Sequence, residues 1–217
     1  MVSEGSKKEI TRGRMHHFRP AFGDDRRQIP RETWDSQYRE GKWAFLDSLH
    51  EFAHYLIVAG YIRRLFRAPT ILDVGCGHGR LVEDLEGSSY KSYLGIDFSA
   101  EAIRQAARLR RPLVRFQVAD LNGWHPTQLF SVIVFCESLN YAIHPLAALS
   151  NYAPALEKNG AIIVSLYRHR HHTRIWANVE KIFRAVDSTV VKNHQGQTWD
   201  IRVLQHSRRS PRIPRVK

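Results

Sequence analysis

The amino-acid sequence predicts an α/β fold: a doubly wound sheet of seven strands, mostly parallel with an antiparallel last strand, preceded by a helical segment. From residue 70 onwards short apolar runs alternate with helical patterns, which implies right-handed crossovers and a sheet covered on both faces. The run FSVIVFCES at 130–138 is apolar almost throughout, as a strand buried on both faces requires. Three glycines within five positions follow the first apolar run, which is where such a sheet binds ligands.

Length and composition are those of one globular domain. The chain has 217 residues, of which 43% are hydrophobic and 25% charged, enough for a single well-packed core. No apolar stretch approaches the roughly 20 residues that span a bilayer, and the N-terminus lacks the apolar core of a secretory signal. Two cysteines do not suggest a disulfide scaffold. These features predict a cytoplasmic protein without a membrane contact and leave its oligomeric state open.

Much of the positive charge lies at the two ends of the chain. Of the formal net charge of +12, residues 1–31 contribute +4 and residues 207–217 contribute +5. We therefore divide the chain into a flexible basic arm at 1–30, a single domain at 31–206 and a basic tail at 207–217. Basic tails are more often solvated than bound to a partner, so the charge allows a nucleic-acid partner without favouring one.

The segment 31–68 has a helical pattern. Pro30 suits the start of a helix, Pro69 ends the segment, and a break is expected near Gly41 or Gly60. The apolar positions that recur at spacings of three and four, and that we expect to face the core, are Leu46, Leu49, Phe52, Ala53, Leu56 and Ile57.

The remaining elements follow in alternation. Ser99 is expected to cap a helix that carries Glu101 in its first turn, and Gly160 to end a later helix as its C′ residue. The predicted strands are 70–76, 92–98, 114–120, 130–138, 161–167, 188–193 and 198–205. The predicted helices are 80–87, 99–111, 145–160 and one around 173–185.

The segment ILDVGCGHGRL at 71–81 forms the turn after the first strand. Glycines at 75, 77 and 79 let the backbone turn sharply and let a ligand approach it closely. Such a loop has little specificity alone, because nicotinamide and flavin enzymes use the related pattern G-x-G-x-x-G. Here the third glycine comes one residue earlier, and Asp73 precedes Gly75 by two residues.

Two further acidic residues stand at strand ends. Asp97 ends the second strand, 22 residues after Gly75, where a carboxylate can accept hydrogen bonds from both hydroxyls of a ribose. Asp120 ends the third strand, where it can accept a hydrogen bond from an adenine amino group. Phe98 and Leu121 follow these acids and could enclose the adenine ring between them.

Five successive segments resemble the motifs of class I S-adenosylmethionine-dependent methyltransferases in order and spacing: ILDVGCGHGRL, YLGIDFS, FQVADL, FSVIVFCESLNY and LEKNGAIIVSLY. The resemblance covers residues 70–168, and the last two strands extend it to 206. It implies a Rossmann-like core at 69–206, S-adenosylmethionine as cofactor, and methyl transfer as the reaction. The alternative for each acidic residue is a helix cap or a surface charge.

The same resemblance implies roles for individual residues. Asp73 would orient the loop towards the methionine amino group, and the backbone around Cys136 and Glu137 would bind that ammonium. Asp97 would hold the ribose and Asp120 the adenine amino group. The cofactor-binding residues implied within the core are Asp73, Gly75, Cys76, Gly77, Gly79, Asp97, Phe98, Asp120, Leu121, Cys136 and Glu137.

The segment WDSQYREGKWAFL is similar to the N-terminal segment of thiopurine methyltransferases, W-x-x-x-W-x-x-G-x-x-x-F, which folds over the bound cofactor. Trp34, Gly41 and Phe45 match that pattern, while Tyr38 replaces the second tryptophan. The resemblance implies a helical lid at 31–68 with Trp34, Tyr38 and Phe45 against the cofactor. The alternative is that these aromatic residues form the apolar face of a helix.

Methyl transfer requires alignment of the acceptor, exclusion of water and an unprotonated acceptor atom, so that a general base is optional. The candidates follow the fourth and fifth strands. Glu137 could position an acceptor amine, Tyr141 could direct the acceptor or stabilise the sulfonium, and His169 could act as base. The loop CESLNYAIH also offers Asn140 and His144, and the segment SLYRHRHH also offers Tyr167, His171 and His172. The run RHRHH lacks an accompanying cysteine or carboxylate cluster, and we predict no metal site.

The acceptor class is narrowed by motifs that the sequence lacks. The sequence ESLN stands where methyltransferases of adenine and glutamine amino groups carry N-P-P-[FYW], and the catalytic cysteine pairs of cytosine-C5 methyltransferases do not occur. A compact domain with an aromatic lid favours methylation of nitrogen or oxygen on a small molecule. The alternatives are an RNA or protein methyltransferase that uses the basic tails, and a non-catalytic cofactor-binding module.

Overall fold

Seven strands form a single sheet in the computed structural model, which describes residues 29–206. The strands are β1 (Thr70–Val74), β2 (Ser92–Asp97), β3 (Val114–Val118), β4 (Phe130–Cys136), β5 (Leu156–Tyr167), β6 (Phe183–Lys192) and β7 (Thr198–His206). Their order is β3-β2-β1-β4-β5-β7-β6, and β7 runs antiparallel to both neighbours while β1 to β5 are parallel. The predicted fold class is confirmed. The predicted flexible arm at 1–30, except for residues 29 and 30, and the predicted basic tail at 207–217 lie outside the described part.

Helices cover both faces of the sheet. They are α1 (Arg31–Arg39), α2 (Leu49–Leu65), α3 (Arg80–Asp84), α4 (Ala100–Ala106), α5 (Pro145–Tyr152) and α6 (His172–Val179). Because side chains alternate along a strand, Ile71 packs with α2 and α3, whereas Leu72 packs with α5 and α6. Every residue of β4 is buried, as predicted. The strand order reverses between β1 and β4, which places the expected ligand crevice at their carboxyl ends.

Helix α2 presents a different face to the sheet from the predicted one. Leu49 is 80% exposed and Phe52 is 39% exposed. The buried residues follow an equally regular helical spacing: Glu51, His54, Tyr55, Val58, Ala59 and Ile62. The buried face ends in the apolar Ile62, whereas the predicted face would place the charged Arg63 and Arg64 against the sheet. The observed face is therefore the one that packs. Within 31–68, α2 therefore packs on the sheet, and α1 with the short 3-10 turn at 44–47 lies beside the glycine loop.

Gly41 and Gly60 have different structural roles. The predicted break occurs at Gly41, which follows α1 with a φ of 70°, whereas Gly60 lies inside α2. A Cβ atom at Gly60 would meet no atom within 4 Å. Gly60→Ala should therefore raise the free energy of unfolding by about 0.5–1 kcal/mol, since glycine loses more backbone entropy in a helix.

Urea unfolding measures this change, with Gly41→Ala as the matched control. Gly41 has equal space for a methyl group but a positive φ, so its alanine variant should be about 1 kcal/mol less stable. A Gly60→Ala variant that is less stable than the wild type would contradict the helical assignment.

Several element boundaries differ from the predicted ones, and α3 and α4 end at Asp84 and Ala106, before the predicted 87 and 111. Helix α5 ends at Tyr152, and β5 already begins at Leu156, so that Gly160 lies inside a strand and does not cap a helix. The physical reason is Pro154, which has no N–H for a helical hydrogen bond. Helix α6 ends at Val179, and β6 begins five residues before the predicted 188. In the described part of the chain, no helix is long and apolar enough to cross a membrane.

Candidate functional site

The turn between β1 and α3 requires its glycines. Gly75, Gly77 and Gly79 have φ values of 76°, 56° and 94°. A Cβ atom on Gly75 would lie 2.4 Å from the Cβ of Ser138, and one on Gly77 would lie 2.8 Å from the hydroxyl of Tyr38. The loop is therefore approached closely by the segment after β4 and by α1, which meet above the switch point of the sheet.

Asp97 links the glycine loop to the start of α4. Its Oδ2 accepts a hydrogen bond from the backbone N–H of Gly77 at 2.9 Å, and its Oδ1 accepts one from Ser99 N–H at 2.8 Å. Burial raises the pKa of this carboxyl to about 6, against the lowering effect of these two bonds. A carboxylate has about four acceptor positions, so two remain for ligand hydroxyls. The predicted contact with ribose stays a prediction.

Asp73 supplies a buried acceptor beneath the same loop. The carboxyl is 1% exposed, and the Tyr93 hydroxyl donates to its Oδ2. Its Oδ1 is buried and has no hydrogen-bond partner within residues 29–206. Burial raises the pKa of Asp73 to about 7, opposed by the Tyr93 bond and reinforced by the charge of Asp97. A buried acceptor without a donor fits a ligand that brings one, such as an ammonium group or its water.

The residues expected to hold an adenine lie at the ends of β2 and β3. Asp120 Oδ1 accepts hydrogen bonds from the backbone and side-chain nitrogens of Asn122, both at 2.9 Å. The guanidinium of Arg31 lies 4.7 Å from the centroid of the Phe98 ring. Leu121 packs against the core formed with α5. Their adenine contacts stay predictions.

The chain leaves β4 in a strained conformation. Glu137 has a φ of 56°, a left-handed value that is uncommon outside glycine and often found at functional sites. Its Oε1 accepts from the Ser165 hydroxyl at 2.6 Å and its Oε2 from Tyr167 N–H at 2.8 Å. Burial raises the pKa of Glu137, while the nearby His54 opposes the rise. The next residue, Ser138, donates its hydroxyl to the carbonyl of Val74. The strand end is thus fixed against β1 and β5.

An aromatic cluster lies beside this strand end. Trp34 stacks on Trp43 with ring centroids 5.5 Å apart, and Tyr38 stacks on Trp43 at 5.6 Å. Tyr141 meets Trp34 edge to face at 4.9 Å, and Phe45 lies 5.8 Å from Trp43. Sequence reasoning identified four of these residues and missed Trp43, which the sequence places between Gly41 and Phe45.

Helix α1 is anchored to α4. Asp35 Oδ1 accepts from the Ser99 hydroxyl at 2.6 Å and from Glu101 N–H at 3.1 Å, and Gln105 Nε2 donates to the carbonyl of Tyr38 at 3.1 Å. No local sequence pattern indicates these contacts. They hold the aromatic side chains of α1 next to Asp97 and the glycine loop.

A buried polar group lies under the carboxyl end of β4. His54 is fully buried, and its Nε2 lies 2.9 Å from Glu51 Oε2, while its Nδ1 lies 3.9 Å from Cys136 Sγ. The His54 ring also stacks on Trp199 at 4.8 Å. Sequence reasoning missed Glu51 and His54 because it assigned another face of α2 to the core.

The two cysteines lie at the carboxyl ends of neighbouring strands. Cys76 follows β1, Cys136 ends β4, and β1 pairs with β4. Both thiols are buried and free, and burial raises the pKa of each. The sulfur of Cys136 faces His54. Whether either thiol borders a bound cofactor stays a prediction.

His169 lies on the loop between β5 and α6. Its Nδ1 accepts a hydrogen bond from His171 N–H at 3.1 Å. Burial, together with His171 and His172, lowers the pKa of His169 to about 4. The ring is therefore neutral at physiological pH and a weak base, and it can take up a proton at Nδ1 only if the bond from His171 N–H breaks. Among the described residues, no group of three His, Cys, Asp or Glu side chains is arranged to hold a metal ion.

The chain is similar to known proteins in sequence and in structure. A family model described as a methyltransferase domain matches residues 37–212. The N-methyltransferase NodS from Bradyrhizobium japonicum WM9, solved with S-adenosyl-L-homocysteine, aligns with a TM-score of 0.67 and 16% identity over 81% of this chain and 97% of that one. The [4+2]-cyclase SpnF aligns with a TM-score of 0.60 and 14% identity over 70% of this chain and 80% of that one. At these identities the likeness concerns the fold.

A curated relative matches the sequence over a shorter stretch. The mitochondrial ubiquinone biosynthesis O-methyltransferase of Candida albicans is 32% identical over 104 residues, which are 44% of this chain and 32% of that protein. The match thus spans about a third of the relative's length.

Proposed function

This chain belongs to the methyltransferase domain family, whose model covers residues 37–212, and uses S-adenosylmethionine as cofactor; we propose that it methylates a nitrogen or oxygen of a small molecule. One observation supports a small molecule as the methyl acceptor. The Tyr38 hydroxyl stands directly over Gly77, and the rings of Trp34 and Tyr141 meet beside it. An aromatic wall held this close to the glycine loop suits a small acceptor better than a nucleic-acid strand.

Different residues of the chain would bind the cofactor, exclude water and take up the proton. S-adenosylmethionine supplies a methyl group already activated by its positive sulfur. Asp97 would accept hydrogen bonds from the ribose, and Asp73 Oδ1 would meet the amino group directly or through water. Trp34 and Tyr141 would exclude water from the reacting atoms. His169 would take up a proton that the acceptor loses.

The names of the similar proteins do not distinguish nitrogen from oxygen as the methyl-accepting atom. NodS is an N-methyltransferase, and the Candida albicans relative is an O-methyltransferase. SpnF is a [4+2]-cyclase, so the same fold also occurs in a protein named for another reaction. This last likeness favours keeping a second candidate, a module that binds the cofactor without transferring its methyl group.

The two free cysteines support the proposed cytoplasmic location.

Transfer of an isotope-labelled methyl group tests the proposal. The full chain would be incubated with methyl-labelled S-adenosylmethionine and pooled amines, phenols and carboxylic acids, with RNA and protein in separate reactions. We expect label in a small molecule, retained when residues 1–28 and 208–217 are deleted. Label in RNA or protein that is lost on this deletion would favour the macromolecular alternative. Cofactor binding without label in any pool would favour the binding module.

A further inference from the structure

The segment after β4 presents a buried carbonyl oxygen with nothing to accept. Asn140 lies in the short 3-10 turn Leu139–Tyr141, directly after Glu137 and Ser138. Its Oδ1 is buried, and no residue between 29 and 206 donates a hydrogen bond to it. Buried amide oxygens are normally paired, so this atom fits a donor that a ligand supplies.

The turn cannot easily rearrange to satisfy this oxygen. On one side, the Ser138 hydroxyl is bonded to the Val74 carbonyl, and the Leu139 side chain is fully buried in the core. On the other side, the Tyr141 ring packs edge to face against Trp34. Asn140 is thus held between fixed neighbours beside the aromatic cluster.

The amide has a definite orientation. Burial raises the pKa of the Tyr141 hydroxyl, and a hydrogen bond with the Asn140 side chain opposes the rise. A bond that stabilises a tyrosinate must be donated to it, so the amide nitrogen of Asn140 faces Tyr141. Oδ1 therefore faces away from Tyr141 and is left without a donor among residues 29–206.

The charges around this position are negative. The carboxylates of Glu137 and Asp97 both act to raise the pKa of the Tyr141 hydroxyl, which places them near the turn. The basic loop after β5 does not offset them directly, because the guanidinium of Arg168 is bound to Asp200 at 2.7 Å. His169 is neutral at physiological pH. This surrounding favours a ligand with N–H donors and disfavours an oxyanion.

We propose that the methyl acceptor is a primary or secondary amine and that Asn140 Oδ1 accepts its N–H, an inference that rests on the proposed function. A neutral amine keeps a lone pair for attack while an N–H group bonds to Asn140. The nitrogen lone pair forms the new bond to carbon, the carbon–sulfur pair returns to sulfur, and the surplus proton on nitrogen passes to His169 and from there to solvent. A phenolate or carboxylate attacks without any donor, and would leave Oδ1 unpaired beside two carboxylates.

Ligand-observed NMR on the full chain saturated with S-adenosylhomocysteine tests this inference. The probes are small secondary amines, each with its isosteric ether and a carboxylate analogue, neither of which has a hydrogen to donate. We expect amines to bind at least about tenfold more tightly than their partners, which is 1.4 kcal/mol. Asn140→Leu should abolish this preference, whereas Asn140→Asp, which keeps the acceptor oxygen, should retain it. Asn178→Leu on α6 is the matched control and should behave as the wild type.

The outcomes separate this inference from the function that it rests on. Equal or tighter binding of ethers or carboxylates, or no amine signal that depends on Asn140, overturns the inference. Loss of amine binding in Asn140→Asp also overturns it, provided that its melting temperature shows a folded variant. If calorimetry detects no binding of S-adenosylhomocysteine to the wild type, the proposed function itself fails.

Discussion

Replacing His54 by leucine should lower the free energy of unfolding by about 2–4 kcal/mol, because it leaves a buried oxygen of Glu51 without its hydrogen-bond partner and removes the ring that stacks on Trp199. Leucine fills similar space, so the loss comes chiefly from the unpaired oxygen and from the lost stacking. In a domain of this size the melting temperature should fall by about 10 °C. Denaturant unfolding followed by tryptophan fluorescence measures the effect.

A double substitution separates the effect of the unpaired Glu51 oxygen from other causes. Glu51→Leu combined with His54→Leu should be at least about 1 kcal/mol more stable than His54→Leu alone, since no buried polar group is then left unpaired. Arg111→Leu breaks an exposed pair with Glu86 and should cost less than about 1 kcal/mol. Losses that simply add in the double variant would show that Glu51 and His54 do not stabilise each other.

Asp97→Ala should weaken binding of S-adenosylhomocysteine tenfold to a hundredfold. Two charge-assisted hydrogen bonds to the ribose would be lost, and the loop would lose the acceptor that holds Gly77 N–H at 2.9 Å. Isothermal titration calorimetry measures the dissociation constants. The melting temperature of the variant without ligand would show that it is folded.

Asp187→Ala provides the control for this measurement. Asp187 is an exposed carboxylate on β6, an edge strand of the sheet, so its loss removes the same charge without touching the loop. Its affinity for S-adenosylhomocysteine should equal that of the wild type. An equal loss in both variants would mean that net charge, and not the ribose contact, determines binding.

The sheet could be predicted from the sequence because each strand has its own local pattern of apolar residues. Strand β4 is almost entirely apolar, and Asp73 and Asp97 follow apolar runs near or at the ends of β1 and β2. The glycine loop could be predicted for the same reason, since its three positive φ values admit few other residues.

The missing parts of the site depend on contacts between distant segments. Glu51 and His54 look like surface residues until Cys136 and Trp199 are packed against them. Asp35 is recognisable as an anchor only when α4 lies beside α1. The unpaired oxygen of Asn140 is a property of the packed turn and not of its sequence. Tertiary packing decides which polar groups are buried, and local patterns do not contain that information.

Titration of the wild-type chain with S-adenosylhomocysteine at pH 8 and pH 5 tests the central claim most directly. Burial raises the pKa of Asp97 to about 6 and that of Asp73 to about 7. Because ionised carboxylates accept the ligand's donors, affinity should be full above these values and fall as the pH drops through them. At pH 5 a carboxyl with a pKa of about 6 is about nine-tenths protonated, so binding should weaken at least about tenfold. The account predicts saturable binding of one ligand per chain at pH 8 with this pH dependence. No detectable binding at millimolar S-adenosylhomocysteine at pH 8 would contradict it.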